Sequence, residues 1–150
     1  MDFEATGKLI YDPVLGREPI FTPWWVILKT PQDIVEYYHY WFEKKHGIKL
    51  IKPKWGSHIS LIRGEQPSGE NKQLWKKYDG MKIKFQYSNE IKWNNDYVWI
   101  DVNCDQLLEI REQLGLKKQP EHNLHITIGK FPKEVYIGFK SIYDVVKLSS

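Results

Sequence analysis

The sequence predicts an α+β fold built from two related lobes within a single domain, residues 1–150. Three observations predict it. A strand, a helix and a histidine-bearing strand follow one another twice in the same order. The two histidine-bearing strands carry tetrapeptides of one kind, His58-Ile59-Ser60-Leu61 and His125-Ile126-Thr127-Ile128, whose histidines lie 67 positions apart. No low-complexity linker divides the chain. The matching placement of the motifs is the best support for an internal duplication, since residue identity between the halves is low.

GKLIY at 7–11 reads as a short strand closed by the turn-prone Asp12-Pro13 pair. Pro19 and Pro23 keep the next stretch extended, and Trp24 to Lys29 is short, apolar and β-branched or aromatic, as a buried strand is. Thr30-Pro31 supplies an N-cap and a proline at the first helical position. The helix then runs through DIVEYYHYWFEKK to a stop at Gly47. Ile34, Tyr37, Tyr38, Trp41 and Phe42 form its apolar stripe, and the strand SHISLI follows, completing a lobe of about residues 24–62. In the second half, Tyr97 to Asn103 alternates as a strand does. Asn103 or Asp105 can cap a helix over QLLEIREQL, with Leu107, Leu108, Ile110 and Leu114 as its apolar face and Gly115 as its stop. The strand LHITIG closes a lobe of about residues 97–129. Between the lobes lie a short possible helix, NKQLWKKYD, and MKIKFQYS, whose alternation of Lys82, Lys84 and Gln86 with Met81, Ile83 and Phe85 marks a half-exposed antiparallel strand. The tail EVYIGFKSIYDVVKL can add another strand or two.

Composition narrows the function. The net charge of +3 is weak for a protein that grips long nucleic acid, and fits a small anionic ligand better. Aromatic residues make up 15% of the chain; most read as core or simply exposed rings, and a minority are candidates for stacking on bases. Cys104 is the only cysteine, which excludes an intrachain disulfide and points to a reducing compartment. No signal peptide opens the chain and no apolar run approaches membrane-spanning length, so a soluble, cytoplasmic protein is expected, with a monomer as the favoured state.

The two tetrapeptides carry the chemistry. In an extended strand alternate side chains share a face, so His58 lies with Ser60 and His125 with Thr127, while the apolar residues turn into the core. If the strands lie side by side, two imidazoles and two hydroxyls meet one substrate. An imidazole gains or loses a proton near neutral pH. One histidine can therefore deprotonate a nucleophile while the other protonates a leaving oxygen. Ser60 and Thr127 are placed to donate hydrogen bonds to phosphoryl oxygens as charge builds there. His39, His46 and His122 lack this context and read as structural or solvent-exposed. A metal site is not expected: the chain has no H-x-x-x-H or C-x-x-C spacing and no evident third ligand.

The paired motifs resemble those of the 2H phosphoesterase superfamily, whose signature is two H-x-[ST]-x motifs, one per lobe. The resemblance covers about Trp24 to Gly129 and carries over His58, Ser60, His125 and Thr127 as catalytic residues. It implies two pseudo-symmetric lobes whose antiparallel sheets form a central cleft, with the helices packed outside. The size, the opening GKLIYDP and the strand WWVILK are similar to phage anti-CBASS phosphodiesterases. That implies metal-independent cleavage of 3′–5′ bonds in cyclic di- and trinucleotide second messengers, without a cofactor, in the cytoplasm of an infected bacterium. Trp99 and Tyr11 are the candidate stacking residues, and Lys52 and Lys54 are candidate phosphate attractors, more simply read as surface lysines. Two alternatives remain open: an RNA-end enzyme acting on 2′,3′-cyclic phosphates or 2′–5′ linkages, and a non-catalytic nucleotide sponge.

Overall fold

A computed structural model describes residues 1–14 and 22–132; the expectations for Pro19 and for the tail strands lie outside them. Among these residues six strands and two α-helices appear in the order β1 (Phe3–Tyr11), β2 (Trp25–Lys29), α1 (Gln32–His46), β3 (His58–Arg63), β4 (Lys82–Trp93), β5 (Tyr97–Asn103), α2 (Asp105–Gln113) and β6 (His125–Lys130), with a 3₁₀ helix at Gly69–Leu74. The fold is α+β, and every strand pairing is antiparallel.

The repeated unit is larger than the sequence pattern suggested. Each half is strand–strand–helix–strand, with β1 and β4 as the added first strands. In space the order is β1-β2-β3-β6-β5-β4, and β4 pairs back onto β1. The antiparallel strands of the two halves are thus joined at two seams, β3–β6 and β1–β4, into one closed barrel. At the first seam Ile59 pairs with Ile126, the apolar residue that follows the histidine in each motif.

One face of this sheet is the core. Leu9, Val26, Leu28, Ile59, Leu61, Ile83, Phe85, Val98, Ile100, Ile126 and Ile128 pack in one cluster with Ile34, Val35, Tyr38 and Phe42 of α1 and Leu107, Leu108, Ile110 and Leu114 of α2. The apolar face expected for α2 is therefore buried as written. The α1 stripe is rotated: Tyr37 and Trp41 are exposed, whereas Val35, His39 and His46 are buried. A row of aromatic residues at helical spacing mimics a core stripe, but Tyr37 and Tyr40 instead meet Trp41 edge-on along the outer surface. Gly47 ends α1 in the left-handed conformation, with its N–H donating to Glu43 O at 2.8 Å.

Neither predicted side-chain cap forms. Pro31 precedes α1, and the Thr30 hydroxyl meets Ser57 Oγ instead, tying the helix start to the entry of β3. Cys104, rather than Asn103 or Asp105, occupies the cap position of α2 and makes no side-chain capping bond.

Gly7 shows how tightly β1 and β2 approach. A Cβ there would sit 2.6 Å from Leu28 Cγ and 2.7 Å from the Lys29 carbonyl oxygen, part of it rigid backbone. Gly7→Ala should lower unfolding stability by about 1–3 kcal/mol through overpacking, read as a fall in denaturation midpoint. An unchanged midpoint would mean the strands separate without cost.

Candidate active site

The motif strands are matched beyond their sequences. Both show the same burial pattern, with the histidine and hydroxyl half-buried, the intervening isoleucine buried and the last residue exposed. Their neighbours match as well. Against β3, Lys29 pairs with His58, Leu28 with Ile59 and Ile27 with Ser60; the register then slips by one residue, and Val26 pairs with Ile62 and Trp25 with Arg63. Against β6, Asp101 pairs with His125, Ile100 with Ile126 and Trp99 with Thr127; the register slips at the same step, and Val98 pairs with Gly129 and Tyr97 with Lys130. Beyond the slip each half places a cation over an aromatic ring, Arg63 over Trp25 at 5.3 Å and Lys130 over Tyr97 at 5.9 Å.

The Ile59–Ile126 pair brings both motifs onto one face. An antiparallel register through that pair sets His58 opposite Thr127 and Ser60 opposite His125. The histidines are then diagonal neighbours, about 7–8 Å apart at their Cα atoms. His58 accordingly feels the His125 charge.

Both rings are held in the same way. His58 Nδ1 donates to Gly56 O at 3.0 Å, and His125 Nδ1 donates to Asn123 O at 2.7 Å, in each case the carbonyl two residues earlier. A carbonyl can only accept, so in the neutral ring the proton resides on Nδ1 and Nε2 keeps its lone pair. Gly56 reaches this geometry at a φ of 73°, a region that costs a side chain strain. Gln32 Oε1 accepts from Ser57 N at 2.8 Å and anchors the same turn.

The helices also hold backbone around the motif strands, α2 on β3 itself and α1 on the Leu50 segment that lies against β6. Arg111 on α2, 1% exposed, donates to Leu61 O beside the register slip at 2.9 Å, to Lys117 O at 2.9 Å and, through both terminal nitrogens, to Glu65 at 2.8 Å. A buried guanidinium needs such full pairing, and it holds the Glu65 carboxyl below its usual range. On α1, His39 Nε2 donates to Leu50 O at 3.1 Å and Glu43 accepts from Leu50 N at 2.7 Å. Leu50 lies over Gly129 at the slip in β6, where a Cβ would come within 2.9 Å of it. His39 and His46 are thus buried structural histidines, and His122 is exposed.

The two stacking candidates part company. Trp99 lies on the motif face beside Thr127, with its indole N–H donating to Asp101 Oδ1 at 3.3 Å. Tyr11 does not share that face: it is 5% exposed, pairs with Val26 of the core and packs edge-on to Trp75 at 5.2 Å. Alternation along β1 turns it inward with Leu9, and burial pushes its phenol up to about 12. Asp101 sits opposite His125, but its carboxylate binds Lys92 Nζ at 2.6 Å and the Trp99 indole rather than the ring. Lys52 and Lys54 are exposed, and Lys54 lies over the Trp55 ring at 5.5 Å. Sequence reading missed Arg111, Lys29 and the Gly56 and Asn123 carbonyls. A glycine two residues before His58 was the single available hint.

Two cavities, of about 290 Å³ beside Cys104 and about 570 Å³ between α1 and Tyr87, touch none of the four motif residues. Among the described residues no group of three or more His, Cys, Asp or Glu side chains could hold a metal ion, and no helix is long and apolar enough to cross a membrane. No family model matches the chain, and no curated protein or solved structure shows significant similarity to it.

Burial, opposed by the hydrogen bond to Gly56 and reinforced by the His125 charge, lowers the His58 pKa below its usual 6.5. The unfolded chain then binds more protons just below 6.5, so this residue's contribution to stability is intact above that pH and is lost as pH falls towards its folded value. Imidazole NMR titration should find His58 half-protonated below pH 6.5; a midpoint above it would show that the ring is solvated or paired with an acid.

Proposed function

We propose that the chain is a metal-independent phosphodiesterase of the 2H type that cleaves 3′–5′ bonds in cyclic di- and trinucleotides. The observation that carries this reading is the repeated clamp. Two imidazoles, each with Nδ1 committed to the carbonyl two residues back, leave two Nε2 atoms free beside two hydroxyls on one sheet face. A binding protein has no need for two rings locked in one tautomer, whereas general acid–base chemistry does.

In this reaction the ribose 2′-hydroxyl next to the scissile bond attacks phosphorus. His58, whose burial favours the neutral ring, takes the hydroxyl proton at Nε2. The bond to the 5′ oxygen breaks, and His125, which must enter protonated, gives that oxygen its proton. A 2′,3′-cyclic phosphate and a free 5′-hydroxyl result. Ser60 and Thr127 donate to the nonbridging oxygens, and Trp99 is placed to stack on a base. Water can then open the cyclic phosphate with the histidine roles reversed. In a phage-infected bacterium such an enzyme would remove the messengers of CBASS immunity.

The test incubates purified protein in excess EDTA with 3′3′-cyclic dinucleotides, a cyclic trinucleotide and 2′,3′-cyclic mononucleotides, with products read by mass spectrometry. Linear products ending in a cyclic or 3′-phosphate are expected. His58→Ala and His125→Ala should each cut the rate by about 10²–10⁴-fold, and Ser60→Ala or Thr127→Val by about 10²-fold. The pH–rate profile should be bell-shaped. Opening of the mononucleotides alone would move the function to RNA ends, and tight binding without turnover would make the protein a sponge.

A further inference from the structure

A row of lysines runs across the motif face and ends at His58. In direct register, Lys82 of β4 pairs with Lys8 of β1, Lys8 pairs with Lys29 of β2, and Lys29 pairs with His58 of β3. Residues paired this way point to the same side of a sheet, and like charges set directly opposite one another repel. All three lysines are exposed, and among the described residues none forms an ion pair. Other cations on this face have partners of their own: Lys92 holds Asp101 at 2.6 Å, Lys84 lies 4.0 Å from Glu4, and Arg63 and Lys130 lie over the Trp25 and Tyr97 rings. The second half has no matching row, because Asp101 stands where Lys29 stands in the first.

We propose that Lys29 and Lys8, backed by Lys82, bind a second, non-scissile phosphate of the substrate. The proposal rests on the phosphodiesterase reading for the location of the scissile phosphate, beside the two histidines. Strands lie about 4.8 Å apart, so Lys29 is one strand and Lys8 two strands from His58. Their long flexible stems let both ammonium groups converge on an anion next to the one being cleaved. A nucleotide ring with two or more phosphates would engage the row, and a 2′,3′-cyclic mononucleotide, with its one phosphate at the histidines, would not. The row would thereby select ring messengers over RNA ends, and would bind them from one side only.

The experiment is calorimetric binding to the inactive His58→Ala/His125→Ala protein, with and without Lys8→Met/Lys29→Met. The probes are cyclic di-AMP, cyclic di-GMP and 3′3′-cyclic GMP–AMP, with 2′,3′-cyclic AMP as the one-phosphate control. A Lys45→Met/Lys49→Met variant removes the same charge from exposed positions on and just after α1. Loss of the two row lysines should weaken the best-bound ring about tenfold, equivalent to about 1.4 kcal/mol. The control nucleotide and the α1-side variant should change less than twofold. Equal weakening of ring and mononucleotide, equal weakening by the α1-side variant, or no ring binding at all would overturn the proposal. Wild-type protein without turnover but with lysine-dependent ring binding would keep the subsite and discard the phosphodiesterase reading. Turnover with lysine-independent binding would do the reverse.

Discussion

The site depends on one antiparallel contact, Ile59 against Ile126 at the seam of the two halves. Strand side chains alternate with a period of two, so a slip of one residue at this seam would turn one motif away from the other. The seam is protected from both sides. Both isoleucines are fully buried in the core; Arg111 of α2 bonds the Leu61 carbonyl of β3, and Glu43 with His39 of α1 holds the Leu50 backbone that packs against Gly129 of β6. Register is thus set by apolar burial and locked by buried polar groups whose partners are fully specified.

The halves are alike where the proposed chemistry needs symmetry and different where a substrate must be oriented. Histidine, hydroxyl, register slip, Nδ1 clamp and the distal cation–aromatic pair all recur. The flanking positions diverge: Lys29 and the buried Ile27 in the first half, Asp101 and Trp99 in the second. A basic, unpaired flank on one side and an aromatic, internally neutralised flank on the other give a two-fold pair of histidines unequal surroundings. That inequality supplies a physical basis for different roles for two chemically identical rings.

Much of the frame was legible from local pattern. The motif strands, β5 and the buried face of α2 follow directly from periodicity, because a single alternation or helical stripe decides them. Most of what local pattern could not show depends on partners distant in the chain. Thr30 is a good cap by type, but Ser57 claims its hydroxyl. Tyr11 lies next to a turn, but its strand parity faces the core, and parity became readable only once the pairing with Val26 was known. The α1 stripe differs for a local reason: Tyr37 and Trp41 keep exposed rings edge-on to aromatic neighbours on the same helix, a spacing that imitates a core face. Arg111 and the lysine row were invisible because each is defined by strands or loops far from it in sequence.

In the proposed reaction His58 and His125 act on one phosphate. The most direct measurement labels both imidazoles with ¹⁵N and follows their Nε2 resonances by NMR during titration with a cleavage-resistant phosphorothioate cyclic dinucleotide. Both Nε2 signals should move together, along one 1:1 binding curve, while both Nδ1 signals stay near their starting positions. Movement of one ring alone, or two curves of different midpoint, would contradict a shared site.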